Sequence, residues 1–195
     1  MEIEYGDGAT PLSPDEIEGL KIKSVATRLE LDRYEQENIL EAMDWIENGR
    51  LGDILTERFV RRLHLRMFGN VWIWAGTYRT SGKNIGVPVG SIHEELAKLL
   101  GDARFWVDER PMPDDEIGAR FHYRIELIHP FPNGNGRHGR LMTDLLMQRE
   151  LGAERFSWGG GSVSRDDTIR SRYLEAIRTV DRANDYGPLL EFVRS

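Results

Sequence analysis

The segment HPFPNGNGRHGR, residues 129–140, brings together residue types that bind phosphate. Gly134 and Gly136 lack a Cβ atom, so the backbone can turn sharply there and approach a ligand closely. Backbone N–H groups in such a loop converge on anionic oxygens, especially where the loop runs into a helix N-terminus. Arg137 and Arg140 are three residues apart, which on a helix places two phosphate-binding guanidinium groups on one face. The segment therefore predicts a site for a phosphate-bearing ligand.

His129 stands immediately before this glycine-rich turn. Its imidazole has an ordinary pKa close to neutrality, which suits it to remove a proton from a substrate. A turn rich in glycine and asparagine, or a lone histidine, usually has only a structural role, but the complete string is far more specific than its parts. The string lacks the GK(S/T) ending of a P-loop, so a P-loop nucleotide site is not supported.

Helical periodicity dominates the rest of the chain. Apolar residues recur every three to four positions between turns rich in glycine and proline, a pattern typical of amphipathic helices. A further helix follows the glycine-rich loop, a short β-hairpin is predicted around SGKN, and a capped helix start at Ser13. The sequence therefore predicts an all-α fold with one hairpin. The predicted helices cover residues 33–48, 54–68, 91–107, 113–128, 164–182 and 187–194, the hairpin residues 76–88 and a loose N-terminal arm residues 1–14.

The composition fits one domain with a sizeable hydrophobic core. The chain has 195 residues, of which 39% are hydrophobic and 30% charged, and its formal net charge is −7. Nucleic-acid-binding domains usually carry a basic surface, so this acidic balance does not favour nucleic-acid binding. The sequence contains no cysteine, which excludes disulfides and thiolate metal sites and is compatible with a cytoplasmic protein. No apolar run approaches the about 20 residues of a membrane span, and the acidic N-terminus is unlike a secretory signal.

The glycine-rich string resembles the signature of the Fic (Fic/Doc) family, HPFx(D/E)GNGRxxR, at every specified position except Asn133. A second segment, WAGTYR at residues 74–79, is similar to the WAGxxR element that precedes the substrate-binding flap of Fic proteins. The similarity extends from about Leu31 to the C-terminus, where LDRYEQENI, MFGNVWIWAGTYR, KNIGV and WGGGS resemble the subgroup called mobile mystery protein B. We expect an N-terminal arm and helices in residues 1–50 and a Fic-like catalytic core in residues 51–195.

The resemblance implies a Fic-type helical bundle in which the motif loop joins two central helices beneath a β-hairpin flap. It also implies a protein nucleotidylyltransferase (AMPylase) that transfers AMP from ATP to a hydroxyl side chain of a target protein. His129 would be the general base, Gly134–Gly136 the anion hole, and the two arginines would neutralise the phosphates. The implied nucleotide- and phosphate-binding residues are Asn133, Gly134, Asn135, Gly136, Arg137 and Arg140.

Asn133 is the departure from the family motif. The family usually has Asp or Glu there, which holds the Mg²⁺ that bridges the phosphates of ATP. An amide oxygen brings no negative charge, and at an effective dielectric of ~20 one charge at contact distance is worth a few kcal/mol. We therefore expect weak binding of Mg²⁺, or of Mn²⁺, without nucleotide. Two alternatives stay open: an active transferase whose metal is held by the phosphates, or a nucleotide-binding regulatory module with weak or no transferase activity.

Lys83, Asn84 and Ile85 lie in the predicted flap. In the family this hairpin pairs with a strand of the target protein and orients its hydroxyl group, which is a form of β-augmentation. The resemblance therefore implies a target protein that docks on the flap, and an antidote protein of a toxin–antitoxin pair is a further expected partner. A phosphotransferase of the Doc type is another alternative, although Doc proteins have an altered GNG segment and the segment is intact here.

Many Fic proteins are silenced by a helix with the pattern (S/T)xxxE(G/N), whose glutamate pairs with the second motif arginine. No full match is present, but Glu47-Asn48 has the right ending on the predicted helix 33–48, with Met43 at the Ser/Thr position. Glu47 is thus the candidate inhibitory residue, with Arg140 as its partner, and the helix 33–48 a candidate regulatory helix.

Other aromatic and imidazole side chains have less specific surroundings. His64 and His122 lie among apolar residues of predicted helices, so we expect them to be buried. His138 stands between the two motif arginines and is expected to approach phosphate. Tyr173 and Tyr186 are candidates for an adenine pocket.

Overall fold

The computed structural model describes residues 17–83, 85–160, 163 and 166–195. The predicted N-terminal arm and the predicted helix start at Ser13 lie outside this range. Within it no β-strand is assigned, and an isolated antiparallel bridge joins Leu20 to Trp72. The all-α fold class is confirmed. In the described part of the chain, no helix is both long enough and apolar enough to cross a bilayer.

The helices predicted from periodicity are present, with ends that differ by a few residues. A π-helical segment, Leu146–Leu151, continues the helix after the motif loop, and 3-10 turns occupy Val89–Ser91 and Trp158–Gly160. Residues 17 and 18 are also helical. The α-helices whose bounds lie within the described residues are α1 (Arg28–Asn48), α2 (Glu57–Phe68), α3 (Ile92–Glu109), α4 (Asp114–Ile128), α5 (Asn135–Leu145), α6 (Asp167–Ala183) and α7 (Gly187–Arg194).

The first helix begins five residues earlier than predicted, at Arg28 instead of residue 33. Thr27 and Glu30 form a capping box there: the Thr27 hydroxyl oxygen accepts from the Glu30 N–H at 3.2 Å, and the Glu30 carboxylate accepts from the Thr27 N–H at 3.1 Å. Such a box satisfies two backbone donors that a helix start leaves without an intrahelical partner.

The chain divides into two compact units. The first consists of the residues up to Ile92 together with His129–His138, and the second of His93–Ile128 together with Gly139–Ser195. In the first unit α1 packs on α2, and in the second α7 packs on α4 and on α6. The predicted boundary at residue 50 is a different division and stays a prediction.

The hairpin predicted over residues 76–88 is not shown: its described residues, 76–83 and 85–88, form turns, bends and coil. A buried side chain explains the difference. The Arg79 guanidinium donates to the carbonyl oxygens of Ser81, at 3.2 Å, and Val87. In a hairpin, backbone N–H groups of the opposite strand would bond such carbonyl oxygens. Here the Arg79 side chain bonds them, and it thereby joins the two halves of the segment.

Candidate functional site

The loop that precedes α5 is closed by the side chain of Asn135. This amide is 3% exposed, and its Oδ1 accepts from the Phe131 N–H at 2.9 Å while its Nδ2 donates to the Phe131 carbonyl at 2.8 Å. The two bonds fix the turn from Phe131 to Asn135, and the Phe131 ring is fully buried. The Asn135 side chain therefore shapes the loop. The predicted phosphate-binding role then falls to the backbone N–H of Asn135.

The start of α5 supplies backbone donors directly after this loop. The first N–H groups of a helix have no acceptor within the helix and carry partial positive charge, and here they belong to Asn135, Gly136 and Arg137. The N–H of Gly134 is placed differently, because it donates to Oδ1 of Asn133 at 2.6 Å. The donors of the predicted anion hole therefore begin at Asn135, with Gly134 contributing the turn.

His129 has a backbone φ of 50°. This left-handed conformation costs a residue with a side chain roughly 1–2 kcal/mol, so surrounding contacts must hold it. Arg79, 3% exposed, supplies them: its Nε donates to the His129 carbonyl at 2.7 Å, and its backbone N–H donates to the Pro130 carbonyl at 2.9 Å. No role was predicted for Arg79 within WAGTYR, yet it fixes the backbone that aims the His129 side chain.

Two glycines with positive φ allow close approaches around this backbone. A Cβ atom on Gly86, whose φ is 113°, would lie 2.9 Å from the His129 Cβ. A Cβ atom on Gly134, whose φ is 79°, would lie 2.7 Å from two ring carbons of Phe68. Gly86 therefore packs against the candidate base, and Gly134 allows the motif loop to sit on the Phe68 ring.

His64 joins the WAGTYR segment to the motif loop. Its Nδ1 accepts from the Gly76 N–H at 3.0 Å, so the ring proton is on Nε2, which donates to the Asn133 carbonyl at 3.0 Å. The ring is fully buried and stacks on Phe131, with 3.7 Å between centroids. Burial, and then the neighbouring His138, lower the pKa of His64 well below its usual value. The predicted buried role of His64 is confirmed, and the neutral ring braces the loop.

The expectation that His138 approaches phosphate is wrong. Its side chain is 1% exposed, and its Nε2 donates to the Val60 carbonyl at 2.9 Å. Burial lowers the pKa of His138 to about 4, so the ring is neutral at physiological pH. The reason is helical geometry, since a residue between two others on a helix points to a different face.

Arg137 projects from α5 onto a buried carboxylate of α1. Its Nη1 lies 2.7 Å from Oε2 of Glu35, which is 2% exposed, and the other Glu35 oxygen accepts from Trp72 Nε1 at 2.7 Å. The Arg137 guanidinium also lies 4.8 Å from the centre of the Phe68 ring. A guanidinium has five N–H donors, and this side chain is 24% exposed. Arg137 is therefore oriented by Glu35 while retaining donors for a phosphate group.

Glu47 lies on the exposed end of α1, 12 residues (47 minus 35) beyond Glu35. At a rise of 1.5 Å per residue this is about 18 Å along the helix. The α1 carboxylate that touches a motif arginine is therefore Glu35, on Arg137. Inhibition of Arg140 by Glu47 stays a prediction.

In the second unit, Arg140 lies near buried titratable side chains of α4. Burial lowers the pKa of His122 to about 3, with Arg140 acting in the same direction, and His122 Nε2 is 2.9 Å from the Tyr173 hydroxyl. The Glu126 Oε1 atom is buried with no hydrogen-bond partner among the described residues. Burial raises the pKa of Glu126 to about 7, opposed by Arg140. The predicted buried role of His122 is confirmed, and Arg140 faces a carboxyl group that titrates near neutrality.

Replacing Glu126 with glutamine should flatten the pH dependence of stability. The folded pKa of about 7 exceeds the ordinary value of 4.5, so between these pH values the native state holds a proton that the unfolded chain has released. Stability then falls as the pH rises through this window, by about 1.4 kcal/mol per pH unit. Urea unfolding should show wild type losing about 2 kcal/mol relative to Glu126→Gln between pH 5 and pH 7. Parallel profiles for the two proteins would contradict this assignment.

Comparison with known proteins identifies the segment that contains these features. Residues 54–147 match the sequence model of the Fic/DOC family. This chain contains a Fic/DOC family domain. The matched range includes α2, the WAGTYR segment, the motif loop and α5, so the contacts of His64, Arg79 and Asn135 all lie inside the Fic/DOC domain.

Named relatives match over a larger part of the chain. It is 36% identical over 138 residues to protein adenylyltransferase fic-1 of Caenorhabditis briggsae, covering 69% of this chain and 25% of that protein. It is 30% identical over 145 residues to protein adenylyltransferase Fic of Aedes aegypti, covering 72% and 27%. The chain thus spans about a quarter of the length of these curated relatives.

Solved structures share the fold. The N-terminal FIC domain of Bep8 from Bartonella sp. 1-1C superposes with a TM-score of 0.70 at 15% identity, over 89% of each chain. BepC from Bartonella tribocorum, solved with bound AMPPNP, gives a TM-score of 0.70 at 16% identity, over 97% of this chain and 93% of that chain. The helical architecture around the motif loop is therefore the Fic fold.

The predicted flap of the Fic/DOC domain is described at two of its three candidate positions. Ile85 is 60% exposed and Lys83 is half-buried, while Asn84 lies outside the described residues. An exposed isoleucine suits a docking surface, but the strand that the prediction required is not assigned there. Target docking on this segment stays a prediction.

The donors of the Fic/DOC domain do not by themselves fit a magnesium site. No group of three or more histidine or acidic side chains able to hold a metal occurs in the described part of the chain. Asn133 offers a neutral amide oxygen that already accepts from the Gly134 N–H. Since magnesium prefers carboxylates and phosphates, a cation would have to arrive with a nucleotide.

The two tyrosines suggested for an adenine pocket are both buried in the second unit. Tyr173 is 7% exposed and its hydroxyl contacts His122. Tyr186 is 9% exposed and lies under the guanidinium of Arg120, 4.4 Å from its ring centre. Both rings pack within the helices of this unit, so the expectation that they line an open adenine pocket is wrong.

Proposed function

We propose that this Fic/DOC protein transfers AMP from ATP to a hydroxyl side chain of a target protein. The observation that carries the assignment is the clamped His129, with its left-handed backbone held by Arg79 directly before the phosphate-binding loop. Relatives named protein adenylyltransferases support it. Because the chain spans about a quarter of their length, the activity is proposed here from the residues of this chain.

The proposed reaction exchanges one bond at the α-phosphorus for another. His129 accepts the proton of a Tyr, Thr or Ser hydroxyl of the target, and the hydroxyl oxygen forms a bond to the α-phosphorus. The bond between the α-phosphorus and the bridging oxygen breaks, and pyrophosphate leaves with the electron pair. General-base catalysis contributes roughly 10²- to 10⁴-fold, so positioning of the nucleotide must supply the remainder.

The phosphate groups have donors along the start of α5. The N–H groups of Asn135, Gly136 and Arg137 lie at the positive end of the helix dipole. The guanidinium groups of Arg137 and Arg140 would neutralise the phosphates, with Arg137 oriented by Glu35. Mg²⁺ or Mn²⁺ would enter with ATP and be held mainly by phosphate oxygens, with Asn133 as a weak ligand.

The target is proposed to dock along Lys83, Asn84 and Ile85. The exposed side chain of Ile85 supports this docking surface. The segments LDRYEQENI and WGGGS favour the mobile mystery protein B subgroup. An antidote protein and the regulatory assignment of Glu47 are proposed on the resemblance to Fic proteins. A cytoplasmic location is proposed on the cysteine-free composition.

Replacing Asn133 with aspartate should lower the Mg²⁺ concentration that transfer requires. A carboxylate restores the charge that the amide lacks and can still accept from the Gly134 N–H. One charge at contact distance exceeds about 1.4 kcal/mol, so the Mg²⁺ concentration for half-maximal transfer should fall about tenfold or more. The measurement is a magnesium titration of transfer at saturating ATP. An unchanged or raised half-maximal concentration would show that residue 133 does not face the metal.

A nucleotide-binding module without efficient transfer is the second candidate, because Asn133 lacks the family's charge. Incubation with ATP labelled at the α- or γ-phosphate, with Mg²⁺ or Mn²⁺, separates the two. Label from the α position on protein supports AMP transfer, and label from the γ position supports a phosphotransferase of the Doc type. Nucleotide binding with neither label on protein would overturn the proposed transferase.

A further inference from the structure

A groove lined by arginines runs along α2 in the first unit. Arg58, Arg61 and Arg62 form one side and residues 75–77 the other, around a cleft of about 450 Å³. Leu65 adds an apolar surface to the cleft and is 50% exposed. We refer to this cleft as the basic groove.

Within the described part of the chain, no ion pair joins a carboxylate to the cations of the basic groove, Arg58, Arg61 and Arg62. Arg61 donates through Nε to the Gly76 carbonyl at 2.9 Å, and Arg62 lies 4.7 Å from the Trp45 ring centre. Three guanidinium groups that form no ion pair among the described residues, on a chain of net charge −7, mark a place where an acidic segment would bind.

The lining contains one acidic side chain against three arginines, so its formal charge stays positive. Glu57 lies at one end of the groove, next to Tyr78. Burial, and then the Glu57 carboxylate, raise the pKa of the Tyr78 phenol above its usual value. The groove therefore offers positive charge beside the apolar Leu65, which suits a peptide with acidic and apolar side chains.

The chain carries such a segment immediately before its first described residue. Residues 1–16, MEIEYGDGATPLSPDE, contain five acidic residues and no lysine or arginine. Ile3, Tyr5 and Leu12 supply apolar side chains among the acids. In composition this segment is the complement of the basic groove.

The described chain begins beside the groove. The Ile73 N–H donates to the Gly19 carbonyl at 2.8 Å, and the Lys21 N–H donates to the Val71 carbonyl at 2.8 Å. Residues 75–77, which form one side of the groove, start two residues after Ile73. Sixteen residues reach at most about 50 Å when extended, so the preceding segment is long enough to lie along the groove.

We propose that residues 1–16 dock in the basic groove of the same chain, with their carboxylates on Arg58, Arg61 and Arg62. Nucleic acid is disfavoured as the occupant by the acidic balance of the protein. Docking of the same segment from a second copy of the chain is the alternative that the mixed sample tests. Docking would cover Gly76, whose N–H is bound by His64, the residue that also holds Asn133. It does not require transferase activity.

Paramagnetic NMR on the full chain tests this docking. The sequence has no cysteine, so Ile3→Cys gives one attachment site for a nitroxide. The amide signals of residues 75–77 should lose most of their intensity in the oxidised label and regain it when the label is reduced. The loss should disappear in Arg58→Glu/Arg62→Glu. The matched control Arg33→Glu/Arg178→Glu, at exposed sites outside the groove with the same change of charge, should keep it.

A salt series and a mixed sample make the outcome decisive. Salt screens exposed ion pairs. Raising the salt to about 1 M should therefore restore the amide signals of residues 75–77 in the spin-labelled chain with its arginines intact. Isotope-labelled chains mixed with separately spin-labelled chains should show no loss. Full signal intensity in the spin-labelled chain, loss that survives the arginine reversal, or loss in the mixed sample would each overturn docking within one chain.

Discussion

Replacing His129 with asparagine or alanine should reduce AMP transfer by roughly 10²- to 10⁴-fold, because the proton of the attacking hydroxyl loses its acceptor. The loop itself should persist, since Arg79 bonds the backbone carbonyls at 129 and 130 and Asn135 bonds Phe131. Asparagine is the sharper variant, because it tolerates the positive φ of this position. Initial rates with α-labelled ATP measure the effect.

The control for His129 is a second histidine substitution. His93→Ala removes an exposed imidazole of α3 and should leave the rate within about twofold of wild type, as surface changes usually do. Nucleotide affinity of the His129 variants should stay near wild type, because the backbone donors of α5 are unchanged. Transfer that survives in both His129 variants would remove the general-base mechanism.

Replacing Arg137 with alanine should lower the free energy of unfolding by about 3–5 kcal/mol, because it leaves the Glu35 carboxylate buried without its cation. The second oxygen of Glu35 keeps the Trp72 indole N–H, which is too little to compensate a buried charge. Urea unfolding at pH 7 measures the loss. The double variant Glu35→Gln/Arg137→Ala should recover part of it, since the uncompensated charge is then gone.

Arg33→Ala is the matched control on the same structure. Arg33 pairs with Glu37 at 3.2 Å on the exposed face of α1, with side chains 81% and 56% exposed. Such surface pairs are worth about 0.3–0.5 kcal/mol. Equal losses for Arg137→Ala and Arg33→Ala would show that the Glu35–Arg137 pair is not buried as described.

Much of the helical framework could be predicted from sequence, because apolar periodicity is a local signal. The start of α1 was misplaced although its signal is local, since Thr27 and Glu30 already have the spacing of a capping box. The predicted hairpin is not shown among the described residues, for a different reason. Whether residues 76–88 pair as strands depends on where the Arg79 guanidinium goes, and that is a tertiary property.

The candidate site shows the same division. The motif string predicted a loop that runs into a helix. His129 and Gly134 lie before α5, and Gly136 and Arg137 lie in its first turn. Glu35 was missed because it is 102 residues from Arg137 in sequence, and no local pattern links the two positions. His138 was misassigned because neighbours in sequence on a helix point to different faces, so proximity to two arginines did not imply a shared ligand.

A crystal structure with Mg²⁺ and a non-hydrolysable ATP analogue tests most directly whether this loop holds a nucleotide for transfer by His129. The α-phosphate should lie beside the His129 imidazole, with the outer phosphates on the N–H groups of Asn135, Gly136 and Arg137. Phosphates bound away from the start of α5, or an imidazole turned away from the α-phosphate, would contradict the proposed chemistry.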